Sequence, residues 1–402
     1  MPDRSRLLPM VSIHVPICNE PPDRVRSALA SLAELDYPAY EVLVVDHNTS
    51  DPDVWEPVAQ ECARRGARFR FFHLGTWPAG RAGALNFARV QATDRAEVVA
   101  VLEPGAPVAR NWLQDAVPEF ADPRVGVVRS PCLLRKAALD GVGGWAEWTV
   151  AEDAALDLAL SQARWLSAEP AAPVERGPAD FADARQRTAR QAYGAAQIAR
   201  RHWLILPLFD RSRAWPQRRR VIAGWLPWAT DALGLLLLWI NLALSFGLIL
   251  SPGRFDVWRM LCALLAVGLL AGKLAHMRQA RFGTILTTLA LGHTGGRAFW
   301  NALLGKGVPC QNAAHLDPVP AKPRNLRSEE LALLVAAWAA LAGVAAVHNA
   351  SWQAVIWCAA LLVQSVPYLA AVFLAWQPAL ATWRREARRP GLDGVARSGS
   401  GD

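Results

Sequence analysis

Lysine is nearly missing from this 402-residue chain: Lys136, Lys273, Lys306 and Lys322 leave 39 of the 43 basic residues to arginine. The arginines are dispersed, and their clusters, Arg218-Arg219-Arg220 and Arg384-Arg385 with Arg388-Arg389, flank apolar runs. A nucleic-acid partner asks for a basic face or a known module, so none is expected; anionic lipid suits this arrangement better. The six cysteines lie far apart, with no C-x-x-C and no Cys/His cluster, so neither a zinc site nor a thiol redox motif is expected. Charged residues are scarce, at 19% against 52% apolar, which excludes a disordered chain and a disulfide scaffold. The first ten residues hold Arg4 and Arg6 but no apolar core, so no secretory signal peptide is expected there.

What the chain has in abundance is tryptophan, 18 in all, and a mean hydropathy of +0.13, high for a soluble protein. Trp favours boundaries between apolar and wet surroundings, and positions 225, 228, 239, 258, 300, 338, 352 and 376 suit interface anchors. Residues 1–215 read as an α/β domain with a mainly parallel sheet. Strands are expected at Val11–Pro16, Glu41–Asp46, Arg68–His73, Val98–Leu102 and Val125–Arg129. Helices are expected at Val25–Leu35, Val54–Arg65 and Gly83–Ala92. Residues 216–380 read as an all-α transmembrane domain, with spans near 232–250, 257–275, 331–347 and 354–376 and an interfacial helix near 282–304. Arg-rich segments then fall on one side, so the α/β domain is expected on the cytoplasmic face of a bacterial inner membrane. Residues 381–402 form a basic tail without expected order.

Ligands of such a sheet sit at the carboxyl ends of its strands. The first strand runs out into Pro16-Ile17-Cys18-Asn19-Glu20, and the second into Asp46-His47-Asn48-Thr49-Ser50. An ordinary turn would explain either loop; two polar loops on adjacent strand ends point to a ligand. Gly80-Arg81-Ala82-Gly83 opens a helix and offers a diphosphate its backbone N–H groups and a guanidinium, although it is neither a P-loop nor a G-x-G-x-x-G fingerprint. Thr149-Val150-Ala151-Glu152 reads as a capping box, which places Asp153 in the first turn of a helix. His14 and His73 fall in strand patterns and are expected as core or edge residues.

The motifs V-S-I-H-V-P-I-C-N-E-P-P, V-L-V-V-D-H-N-T-S-D, A-G-R-A-G-A-L-N-F-A, V-G-G-W-A-E-W-T-V-A-E-D-A and A-Y-G-A-A-Q-I occur in one order. With A-G-W-L-P-W and L-G-H-T-G-G-R-A, this series resembles family-2 processive membrane glycosyltransferases, most closely the bacterial β-glucan synthases related to cellulose synthase. The resemblance runs from about Val11 to Pro309 and implies hexosyl transfer from a nucleoside diphosphate sugar, as in UDP-sugars, to a growing glycan. It implies Pro16, Asn19, Glu20, Asp46, Asn48, Arg81 and Arg190 as nucleotide-sugar contacts, with Arg81 standing where the family has Lys. Asp153, beside Glu152, matches the family's general base; Trp145 and Trp148 follow the family's G-G-W and are implied at the acceptor site. A Mg2+ or Mn2+ ion and further synthase subunits are implied as well.

Three departures point to weakened or lost activity. The family's metal-holding D-x-D is Glu103-Pro104-Gly105 here, leaving Glu103 as the one metal-side carboxylate. Its Q-x-x-R-W becomes Arg187-Thr188-Ala189-Arg190-Gln191, without the sugar-stacking Trp. The segment between Arg129-Ser130-Pro131 and Leu139 is far shorter than in the family, so part of the glycan channel floor is expected to be gone. A non-catalytic membrane scaffold or regulatory subunit of a polysaccharide synthase is the alternative expectation.

Overall fold

The computed structural model describes residues 8–129, 132–168, 181–202, 215–250, 256–305, 324–348 and 351–387. They form two compact units. The first comprises the chain to Gly177 with Tyr193–Ile222 and Asn301–Ala321; the second comprises Pro178–Ala192, Ala223–Trp300 and the chain from Lys322.

In the first unit β1 (Met10–Ile17), α1 (Pro22–Ala33), β2 (Tyr40–Asp46), α2 (Pro52–Arg64), β3 (Phe69–His73), α3 (Gly80–Gln91) and β4 (Ala96–Val101) alternate. Then come α4 (Trp112–Ala116), β5 (Val125–Arg129), β6 (Cys132–Arg135), α5 (Lys136–Gly141), α6 (Glu152–Gln162) and β7 (Leu166–Ala168). The sheet order is β3-β2-β1-β4-β6-β5-β7. β1 pairs in parallel with β2 from Val11↔Tyr40 to Ile17↔Asp46, and with β4 as far as His14↔Val101. Pro16, which has no N–H to give, lies past the last β1–β4 pair and leaves that ladder intact.

The expected mainly parallel sheet is present. One strand runs the other way: β6 is antiparallel to both β4 and β5. Four residues are too few to show a period of two, so it left no readable pattern. β1 and β2 are buried on both faces, hence their nearly unbroken apolar sequences. Val11, Ile13 and Val15 pack with Leu29, Leu32 and Leu113, while Val99 and Val101 pack with Leu85, Leu156 and Trp145. Each fully buried aliphatic side chain contributes about 1.5–3 kcal/mol.

The chain continues through α7 (Phe181–His202), α8 (Trp215–Leu250), α9 (Val257–His276), α10 (Phe282–Leu303), α11 (Arg324–Val347) and α12 (Trp352–Ala387). Among the described residues four stretches are long and apolar enough to cross a membrane: Leu226–Leu250, Val257–His276, Glu329–Val347 and Trp352–Ala375. They overlie the four expected spans. Trp239, Trp258, Leu264, Trp338 and Phe373 are exposed on them, a surface that water would penalise and lipid would cover. Inside the unit, Trp357 is fully buried beside Leu248, Ala263 and Val344, and its Nε1–H donates to Ser245 Oγ at 2.8 Å. Gly343 lets α11 close on α8, since a Cβ there would lie 2.5 Å from Ile249 Cδ1. Of the expected tail, residues 388–402 lie outside the described residues.

Candidate active site

Running outward from β1 to β3 and returning to β4 beside β1 places the sheet's switch point between β1 and β4. The loops there hold two polar clusters. In the first, Asp46 ends β2 with its side chain 1% exposed. Its Oδ1 accepts from Thr49 Oγ1 at 2.5 Å, and its Oδ2 pairs with His73 Nδ1 at 2.6 Å. His73 in turn stacks on Trp55, ring centroids 4.3 Å apart, so it serves as the carboxylate's partner and not merely as an edge residue. Thr49 Oγ1 also accepts the Asn19 N–H at 2.9 Å, tying the loop after β1 to the loop after β2. Asn48 holds the backbone of Trp77 from both sides: Oδ1 accepts its N–H at 2.7 Å and Nδ2 donates to its carbonyl at 3.1 Å. Asn19, Asn48 and Ala79 all have left-handed backbones (φ 49, 60 and 63), a concentration of strain at this rim.

Burial raises the Asp46 carboxyl above its ordinary pKa, against the lowering effect of its bonds to Thr49 and His73. Glu20 is raised by burial too; Arg24 opposes the shift and Glu103 adds to it. Cys18 between them is pushed up to about 11 by burial and then by the charges of Asp46 and Glu20, so it is no nucleophile. His47 is held down to about 4 by burial and by the Arg81 charge.

The second cluster is built on Arg81, in the first turn of α3. Its Nη1 donates to Glu152 Oε1 at 2.8 Å and to both Asp153 oxygens at 3.3 Å. Its Nη2 donates to Glu103 Oε1 at 2.7 Å. Burial opposes the guanidinium's charge, but attraction from Asp153, Glu103 and Glu152 outweighs it and holds the group well above its ordinary pKa. Thus the three carboxylates that the sequence assigned to metal and base meet on one arginine.

The loop carrying Glu152 and Asp153 is seated on α7. Val150 N–H donates to Gln197 Oε1 at 3.0 Å, and a Cβ on Gly194 would lie 2.2 Å from that of Ala151. The A-Y-G-A-A-Q-I motif is therefore the bed of the acidic loop. This docking replaces the expected capping box. α6 begins at Glu152 with Ala151 as its cap, and Thr149 Oγ1 accepts from Ala151 N–H at 3.1 Å. Asp153 remains in the first turn, as expected.

Asn86 clasps the G-G-W turn: Oδ1 accepts the Trp145 N–H and Nδ2 donates to the Trp145 carbonyl, each at 2.9 Å. Trp145 itself is buried, 3% exposed, and packs with Leu85 and Leu156. Trp148 lies under the Arg201 guanidinium, 4.6 Å from its ring centroid. Arg190 falls in the part of α7 grouped with the helical unit.

A divalent ion implied by the family resemblance does not fit these residues. Gly105, with φ +77, offers no side-chain ligand, and a Cβ there would come within 2.4 Å of Arg24 Cγ and Nε. Glu103 is already paired with Arg81, and among the described residues no three His, Cys, Asp or Glu side chains converge as a metal cage.

Residues 12–135 match the family model described as Glycosyl transferase family 2, and residues 108–273 match that described as Glycosyl transferase family group 2. The chain is 29% identical over 210 residues to the beta-monoglucosyldiacylglycerol synthase of Trichormus variabilis, a match covering 39% of this chain and 42% of that one. The protein of the same name from a Synechocystis species is 30% identical over 185 residues, covering 33% and 36%. The chain thus spans about two fifths of the length of the curated relatives it matches. Among solved structures it is similar in fold to a mannosyltransferase from Pyrobaculum calidifontis in complex with GDP-Man and Mn2+. That likeness has a TM-score of 0.51 at 21% identity and covers 76% of this chain and 90% of the other.

Proposed function

We propose that the family-2 glycosyltransferase domains carried by this chain transfer a hexosyl group from a nucleoside diphosphate sugar to a hydroxyl presented at a membrane, with inversion at the anomeric carbon. The observation that carries the reading is Arg81, clasped by Glu103, Glu152 and Asp153 at the carboxyl rim of the sheet. Asp153, whose side chain is 66% exposed, takes the proton of the acceptor hydroxyl. The freed oxygen attacks the anomeric carbon, the bond to the diphosphate breaks, and the nucleoside diphosphate leaves. Arg81 supplies the positive charge that this departing group needs, in the place where a metal would otherwise supply it. The Asp46–Thr49–Asn19 network, with Pro16, Glu20 and Asn48 beside it, holds the nucleoside.

For the acceptor we favour a neutral glycerolipid over a growing β-glucan. Two relatives bear the name of a diacylglycerol glucosylating enzyme. The short segment after Arg129 and the missing Trp beside Arg190 both take away what a polymer would rest on, and a single transfer needs no such platform. The positive-inside bias puts the α/β unit on the cytoplasmic face of an inner membrane. The second reading, a non-catalytic subunit of a polysaccharide synthase, is favoured by the lost D-x-D.

Radiolabel transfer by the full chain in lipid nanodiscs containing dioleoylglycerol, with a panel of UDP- and GDP-hexoses, separates the two. Transfer is expected to persist in EDTA and to fall by at least about 100-fold in Asp153→Asn, the usual worth of a general base. No transfer in either protein, with nucleotide binding retained, gives the second reading.

A further inference from the structure

The helical unit holds a half-open cavity of about 70 Å³ between α8, α9, α10 and α12. One water needs about 10–15 Å³, so the space holds several waters or one small polar group. Its walls are mostly aliphatic, with Leu238 and Leu289 among them, yet Asp231, Lys273, His293 and Gln364 also face it.

Gln364 is the unexplained member. It is 7% exposed, on a helix apolar enough to cross a membrane, and neither its Oε1 nor its Nε2 has a hydrogen-bond partner. Leaving both ends of a buried amide unpaired costs about 1–3 kcal/mol for each group, so a polar group entering the cavity would be stabilised against it. Of the other polar lining groups, His293 Nδ1 also lacks a hydrogen-bond partner. Lys273 is paired with Asp231, and the neighbouring Glu330, 3.5 Å from His293 Nδ1, is paired with Arg185. The glycines of L-G-H-T-G-G-R-A build the wall: a Cβ on Gly296 would meet the Asp231 carbonyl oxygen at 2.7 Å, so α10 can approach α8 only without one.

We infer that this cavity binds the hydroxyl head of a neutral lipid, a diacylglycerol-type alcohol, with Gln364 as its principal polar contact. A hydroxyl both donates and accepts, matching the two ends of the carboxamide. An ester oxygen offers no donor, and a phosphate finds no unpaired cation among the lining residues. The tail has apolar helix faces to lie on. The inference deepens the function proposed above by giving its acceptor a binding site, and rests on it for that role alone.

Binding is measured on the full chain in detergent, without any nucleotide-sugar, using 1,2-dioctanoylglycerol, trioctanoylglycerol and dioctanoyl phosphatidate. Saturable binding of the diacylglycerol is expected, with the other two at least about tenfold weaker. Gln364→Leu should weaken it about tenfold. Should that variant not fold, Gly234→Leu serves instead. Gly234 lines the cavity and a Cβ there meets nothing within 4 Å, so the new side chain fills the space and abolishes binding. Equal binding of the triester, parent-like binding in both variants, or no saturable binding of any lipid overturns the inference. Diacylglycerol binding without sugar transfer leaves it standing and sinks the proposed reaction instead.

Discussion

The two units of this chain use charge in opposite ways. At the sheet rim one guanidinium faces three carboxylates, two of which, Glu103 and Asp153, are 66% exposed. Among the helices the ratio is one to one: Arg185 with Glu330, and Lys273 with Asp231. Glu330 is wholly buried and could not keep its charge without a partner in place. The rim carries surplus negative charge that solvent tolerates, so Arg81 can let go of one carboxylate and still be held by another. Balanced pairs fix structure; an unbalanced cluster is one that can rearrange around a ligand.

The largest effect that would sharpen this contrast is the loss of transfer in Asp153→Asn described above, which should leave the thermal midpoint in place because Arg81 keeps two other partners. Arg185→Met should do the reverse. With Glu330 uncompensated, the helical unit loses about 3–5 kcal/mol, read as a lowered unfolding midpoint in detergent. The double variant Arg185→Met/Glu330→Leu should recover most of that loss; failure to recover breaks the comparison.

A smaller effect separates the units by pH. His47 stays neutral in the fold down to about pH 4, whereas the unfolded chain takes up a proton below about 6.5. Stability is therefore lost as pH falls through that window, by about 3 kcal/mol for this residue. His14, fully buried with a pKa of about 3, adds to the loss. Asp46 acts with the opposite sign, since a raised carboxyl favours the fold as pH falls. Trp-fluorescence melts of the full chain between pH 7.5 and 4.5 should show the decline, and His47→Gln should flatten it. The smallest effect is expected from Arg124→Ala. Its pair with Asp122 at 2.8 Å is solvent-exposed, and no measurable shift of the midpoint should follow.

The parallel core was readable because β1 and β2 are buried on both faces, which forces long apolar runs, and because the crossover helices carry their own period. The four apolar helices were readable for a similar reason: length and hydropathy are local properties. The site was legible only in part. Asp46, Arg81, Glu103 and Asp153 stood in motifs, but that three carboxylates share one guanidinium depends on contacts across 22 to 72 residues. His73, Asn86 and Gln197 passed unnoticed as working parts, because each acts by orienting another residue and leaves no mark in spacing. The displaced cap at Thr149 has the same origin: Gln197 of α7, distant in sequence, holds the loop at the Val150 N–H while Thr149 Oγ1 turns to Ala151.

Gly105 and the Arg24 side chain share one space at the sheet rim. A side chain there would push Arg24 aside, in a left-handed backbone that costs a non-glycine residue strain. Position 105 thus acts on Glu20 at one remove, because Arg24, whose Nη1 lies 3.2 Å from Glu20 Oε2, is the residue that a larger side chain would displace.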